Sequence, residues 1–119
     1  MANYVNYKKK YNFEERKKQV DGIIKKFPDR VPVIIEKEEN CKSVPQIDRN
    51  KFLVPDYFTM AELIHIIRTK ITLTSEKAIF VFINNELVNT SKLVREVYES
   101  HKEHDGFLYV KYASENTFG

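Results

Sequence analysis

Residues 79–83 read Ile-Phe-Val-Phe-Ile, five apolar side chains without a break. A strand with one wet face alternates apolar and polar residues, so an unbroken run reads as a central strand buried on both faces. A chain of 119 residues has the length of one domain of ordinary size, and 42% apolar residues are enough for a single core around that strand.

The elements around that strand follow from local signals. Tyr4, Tyr7 and Tyr11 interleave with Lys8, Lys9 and Lys10 in a short segment that reads as helical. Asn12 is placed as an N-cap with Glu15 three residues on, a capping-box pattern. The helix it opens runs to about Phe27, with Val20, Ile24 and Phe27 as the buried stripe and Ile23 at its flank. Gly22 weakens this helix and Pro28 ends it. Residues 31–37 are rich in β-branched side chains and read as a strand, with Pro32 demoting its start to an edge or irregular pairing. Residues 38–50 are polar and read as a loop. Residues 51–54 form a short strand stopped by Pro55, and Thr59 caps a helix through about Ile71. Asn84-Asn85 is a tight turn, Leu87-Val88 a brief return strand, and Thr90 or Ser91 caps a last helix to about His101 with Leu93, Val94, Val97 and Tyr98 facing inward. Asp105-Gly106 turns into a closing strand at 107–112.

After the two N-terminal helices the order is β-β-α-β-β-α-β. Short, sequential connections favour an α+β fold, a mixed sheet with these helices packed on one face. That is the order of the ubiquitin-like β-grasp, here with two extra N-terminal helices. The reading assigns residues 1–27 to a helical extension packed on the core, 28–113 to the ubiquitin-like domain, and 114–119 to a flexible tail.

Charge and cysteine content narrow the function classes. Residues 1–30 carry nine Lys/Arg against four Asp/Glu, whereas 31–119 carry eleven against thirteen. A basic arm on a near-neutral body suits an acidic partner, whether lipid, protein or nucleic acid, and equally a solvated helix face. Cys41 is the single cysteine, which excludes an intrachain disulfide and suits a reducing compartment. No apolar run has the length of a membrane span, and no signal-peptide core opens the chain. The expected location is therefore cytosolic or nuclear. His65, His101 and His104 make no metal-ligand pattern with Cys41, and no Gly-rich phosphate loop is present, so an enzyme is not expected. Tyrosines among lysines could stack on bases, but no RNA-binding motif follows.

The chain ends Ser-Glu-Asn-Thr-Phe-Gly. A terminal glycine has no Cβ, so its carboxylate can enter a narrow slot. The expectation is a C-terminus that is activated and joined to something else.

Four strings carry a family resemblance: FPDRVPVIIEK at 27–37, KFLVP at 51–55, FVFINN at 80–85 and EHDGFLYVKYASENTFG at 103–119. In order and spacing they closely resemble the autophagy ubiquitin-like modifiers of the GABARAP type, and the likeness runs from about Phe13 to the end. The resemblance implies charging by a ubiquitin-activating-type enzyme, transfer through a conjugating enzyme, and an amide between Gly119 and phosphatidylethanolamine. A cysteine protease would process the chain and release it from the lipid. The resemblance further implies residence in the cytoplasm and, once lipidated, on autophagosome membranes and cytoplasmic vesicles. No cofactor beyond that covalent lipid, and no nucleic acid, is expected.

The resemblance also implies a docking site for cargo receptors and adaptors bearing an aromatic-x-x-aliphatic motif. Ile23, Pro32, Lys51, Leu53 and Phe107 would line the aromatic pocket. Phe52, Val54, Pro55, Phe58, Leu63 and Ile66 would line the aliphatic pocket, and Arg30, Lys51 and Arg68 would meet acidic flanks. The residues themselves are compatible with this. Met60, Ile64, Ile67 and Ile71 form a helical stripe that Leu63 and Ile66 widen beyond what core packing needs. If 51–54 is a sheet edge, its backbone can pair with an extended peptide. Ordinary core remains the alternative for each apolar residue, and a structural ion pair for Arg30 and Arg68. Three departures from the family bear on partner choice: Leu87-Val88-Asn89 stands where many members carry Pro-Pro, Gln19 replaces a common acidic residue, and the first segment is richer in Lys and Tyr.

Overall fold

A computed structural model describes residues 6–73 and 77–114 of the chain. The elements in order are α1 (Tyr7–Lys10), α2 (Phe13–Lys26), β1 (Arg30–Lys37), β2 (Lys51–Pro55), α3 (Met60–Lys70), β3 (Phe80–Ile83), β4 (Glu86–Leu87), α4 (Val94–His101) and β5 (Leu108–Ala113). Both long-helix starts are as the sequence dictates. Asn12 and Glu15 exchange side-chain and backbone hydrogen bonds at the head of α2, each 2.9 Å. Thr59 and Glu62 do the same at the head of α3. Such reciprocal caps satisfy orphan N–H groups of the first turn. The last helix is started differently. Asn89 Oδ1 accepts from the N–H and hydroxyl of Ser91, and α4 begins only after Leu93, whose N–H donates to Glu96.

The five strands lie in the order β2-β1-β5-β3-β4. β1 and β5 run parallel and every other pair is antiparallel, so the sheet is mixed as expected. The middle strand is β5, not the unbroken apolar run. That run supplies β3, second from an edge and flanked by the two-residue β4. Its Val81, Phe82 and Ile83 are buried all the same, so the apolar run marked burial rather than rank in the sheet. Asn84 and Asn85 connect β3 to β4 with φ of 51° and 66°, the backbone of a tight hairpin turn. β1 is an inner strand despite Pro32. The proline pairs with Leu53 of β2, while pairing with β5 starts one residue later at Val33, so no β5 ladder bond is asked of its missing N–H.

Each face of the sheet has its own apolar cluster. On one, Val31, Val33, Ile35, Val54, Leu108 and Val110 pack against Met60, Leu63 and Ile67 of α3 and Val94, Val97 and Tyr98 of α4. On the other, Ile34 and Phe107 meet Tyr7 and Val20, with Tyr11, Ile23 and Tyr109 at the margin. α2 therefore covers the face that the ubiquitin-like helices leave open.

The inward stripe of α2 is narrower than its apolar residues suggest. Val20 is buried, Ile23 half-buried, and Ile24 and Phe27 remain 46% and 39% exposed. The inward positions beside Val20 are polar instead. Arg16 Nε donates to Asp105 Oδ2 at 2.8 Å, and Gln19 accepts from the Tyr7 hydroxyl. Leu93 is likewise 40% exposed rather than inward. In α3, Leu63 takes the fully buried place assigned to Ile64, which is half-buried. Residues 38–50 are irregular but packed: Cys41, Val44 and Ile47 are buried at three-residue spacing. Tyr112 Oη holds this segment by donating to the Pro45 carbonyl at 2.8 Å. No helix among the described residues is long and apolar enough to cross a membrane.

Candidate functional site

β2 is one edge of the sheet, and its hydrogen-bond phase decides what that edge offers. Asp56 N–H donates to Asp29 O, and Ile35 N–H to Asn50 O, at the two ends of the β1–β2 ladder. In an antiparallel pair the bonded positions alternate. With Leu53 opposite Pro32 and Lys51 opposite Ile34, Lys51 and Leu53 fall at the non-bonded positions. Their N–H and C=O groups point away from β1, out of the sheet. Pro55 shares that phase, so its missing N–H removes nothing from the ladder, and its carbonyl accepts from Phe58 N–H.

Side chains alternate across the same strand. Phe52 and Val54 fall on the α3 side. There Leu63 is fully buried, Phe58 and Phe52 are partly buried against the core, and Ile66 is half-buried at the flank. Lys51 and Leu53 fall on the α2 side, with Pro32, Phe107 and Ile23. The two residue sets thus meet at one edge strand from its two faces. Pro55 has the phase of Leu53 and stands apart from Phe52 and Val54, with which the resemblance groups it. Leu63, Val54, Pro32 and Phe107 are buried, and Phe52, Leu53, Phe58, Ile23 and Ile66 are half-buried.

The charged positions differ among themselves. Lys51 is exposed. Arg30 Nη1 donates to the Leu53 carbonyl at 3.2 Å. Arg68 Nη1 donates to Lys77 O at 2.7 Å, which ties the segment after α3 to the helix. Two further cations escaped the sequence reading: Arg49 and Lys70 line a cavity of about 260 Å³ with Ile47, Asp48 and Phe52, at the head of β2. Arg49 was hidden inside a segment read as featureless loop. A wider cleft of about 780 Å³ opens between α1 and the β3–β4 turn, with Lys8, Lys9 and Lys111 set against Glu36 and Glu103.

The basic arm is used in packing. The buried Tyr7 ring stands edge-on to Phe107 at 5.5 Å and close to Tyr11 at 4.9 Å, so it is not presented to a base. Lys8 pairs with Glu103 and lies over the Tyr109 ring. Tyr4 and Gly119 lie outside the described residues.

Cys41 is buried, with Ser43 and Ser114 as its polar neighbours. Burial pushes its thiol up, but hydrogen bonds from Ser114 and Ser43 outweigh burial and bring it down to about 7. Ser114 N–H donates to the sulfur at 3.4 Å, so the first residue assigned to the tail is tied down. His101 sits at the end of α4 with Nδ1 3.3 Å from Val97 O. No cluster of three or more His, Cys, Asp or Glu among the described residues could hold a metal ion.

Comparison with known proteins bears on what such an edge serves. The family model described as autophagy protein Atg8, ubiquitin like, matches residues 15–119. The chain belongs to the Atg8 family. Autophagy-related protein 8 of Vanderwaltozyma polyspora is 47% identical over 114 residues, covering 96% of each chain. Autophagy-related protein 8e of Arabidopsis thaliana is 48% identical over 113 residues, covering 95% of this chain and 92% of its own. The crystal structure of Trypanosoma brucei ATG8 superposes with a TM-score of 0.89 at 36% identity, covering 98% of this chain and 100% of that one. The fold is thus the ubiquitin-like one of Atg8 proteins, and the protein is an autophagy protein of that family.

Proposed function

We propose that this Atg8 family member is a ubiquitin-like modifier joined through Gly119 to phosphatidylethanolamine, and that once on the membrane it recruits cargo receptors through β2. An activating enzyme and then a conjugating enzyme would carry the glycyl group as a thioester. Attack by the headgroup amine on that carbonyl forms the amide and expels the enzyme's thiolate. A cysteine protease would reverse the link. The protein would cycle between cytoplasm and autophagosome or vesicle membranes, with no cofactor beyond the lipid.

The observation that carries the recruiting role is the outward-facing backbone of Lys51 and Leu53 between two apolar sets on separate faces of one strand. An extended peptide can add to such an edge by main-chain hydrogen bonds. Side chains three positions apart would then sink to either side, the aromatic one toward Phe107 and the aliphatic one toward Leu63.

Two experiments test the two halves. Incubation with activating and conjugating enzymes, ATP and aminophospholipid vesicles should add one lipid by mass to the wild type and none to Gly119→Ala; lipidation of that variant refutes the conjugation site. Titration with a Trp-x-x-Leu peptide should show binding that backbone N-methylation of the peptide abolishes. Unchanged binding of the N-methylated peptide refutes strand addition.

A further inference from the structure

The open edge of β2 is already occupied at one of its acceptors. Arg30 opens β1 opposite Pro55, and its exposed side chain reaches along the edge so that Nη1 donates to the Leu53 carbonyl at 3.2 Å. That carbonyl points out of the sheet, by the phase established above. Among the described residues this is the only hydrogen bond of the guanidinium, which has no carboxylate within ion-pair distance. Charged groups laid over an edge are a known way of keeping a sheet from pairing with the wrong strand.

We infer that Arg30 is a guard on the docking edge: its guanidinium fills the Leu53 carbonyl that an incoming strand needs, and a carboxylate on the right peptide draws it off. The inference rests on the docking role proposed above and adds the discrimination step. A peptide with no acid must displace Arg30 with nothing to receive the cation. A peptide with an acid exchanges a neutral acceptor for a charged one, the stronger partner for a guanidinium. Selectivity for acidic peptides then arises partly by handicapping neutral ones, the repulsive half of specificity. Lys51, exposed and with its charge on a flexible stem, adds attraction without blocking.

The test uses the full-length protein, the variant Arg30→Met, and two synthetic peptides sharing a Trp-x-x-Leu core, one flanked by serines and one by glutamates. Methionine keeps the unbranched stem and removes every donor. Arg30→Met should bind the serine-flanked peptide about three- to tenfold more tightly than the wild type does, the range of one net hydrogen bond. It should bind the glutamate-flanked peptide more weakly, so that the preference for acid shrinks from both sides. Equal or weaker binding of the serine-flanked peptide by Arg30→Met overturns the guard while leaving docking intact. Failure of the wild type to bind either peptide overturns docking and the guard together. Because Arg30 is exposed, the variant should melt with the wild type, and a matched melting curve ties any affinity change to the edge.

Discussion

Gly106 lies so close to α2 that a Cβ built on it would stand 2.6 Å from Val20 Cγ1. It also has a φ of 93°, where side chains other than glycine are strained. The turn into β5 and the seat of the N-terminal extension are therefore fixed by one missing methyl. Gly106→Ala should destabilise the fold by about 2 kcal/mol or more, from strain and overpacking together. Urea unfolding checks this, and a cost below about 0.5 kcal/mol would contradict the close approach.

Gly22 should behave in the opposite way. It is exposed in the body of α2, with nothing within 4 Å of an added Cβ. Gly22→Ala should stabilise by about 0.5–1 kcal/mol, the difference in helix propensity. A raised midpoint in the same urea experiment is the expected reading.

Asp105 is the polar anchor between extension and sheet. Its carboxylate accepts from Arg16 Nε at 2.8 Å, Phe107 N–H at 2.9 Å and the Tyr109 hydroxyl at 2.5 Å, and it is buried. Arg16→Ala strands that charge, and should cost about 3 kcal/mol. Lys8→Ala, which removes an exposed pair with Glu103, should cost less than about 1 kcal/mol. Comparable costs for the two variants would refute the distinction.

Leu53 and Lys51 should separate binding from stability. Leu53 is half-buried and Lys51 exposed, so neither carries much of the core. If β2 is the docking edge proposed above, Leu53→Ala should weaken an aromatic-x-x-aliphatic peptide by about tenfold, the cost of truncating a residue near the centre of an interface. Lys51→Ala should weaken it a few-fold, more for acidic peptides. Calorimetric titration reads both, and unchanged affinity would remove them from the site.

Alkaline pH should loosen the fold through its tyrosines. Burial raises Tyr7 and Tyr112 to about 12. It also raises Tyr98, and together with the bond to Asp105 it raises Tyr109 further. The folded phenols keep protons that the unfolded chain releases from its ordinary value of 10.0. Stability contributed by these groups is full below about pH 10 and declines as pH climbs toward about 12. Urea midpoints should fall across that window, together with delayed phenolate absorbance.

Much of this architecture was legible because its signals are local. The Asn12 and Thr59 caps, the Asn84-Asn85 turn and the β-branched run before Lys37 each announce themselves within a few residues. What escaped depends on distant neighbours. Ile24 and Phe27 look like core on a helical wheel, but the inward positions of α2 beside Val20 go to Arg16 and Gln19, whose partners Asp105 and Tyr7 lie far along the chain or in another helix. Cys41, Val44 and Ile47 sit in a polar stretch, and it takes Tyr112 and Ser114, at the far end of the chain's last strand, to show why they are held inward. The apolar and cationic residues of the candidate site came from the family resemblance. That Leu53 turns its carbonyl outward and that Arg30 covers it required the strand register, which no window of sequence contains.

The two faces of β2 belong to separately packed layers, one built with α3 and α4, the other with α2. Damage need not be shared between them. If the proposed docking role holds, a lesion that unseats the amino-terminal helices would expose the Ile34–Phe107 layer while sparing the layer built with α3, leaving a half-reader able to grip but unable to discriminate. Partial loss of cargo choice with intact folding is thus a failure mode written into the layering itself.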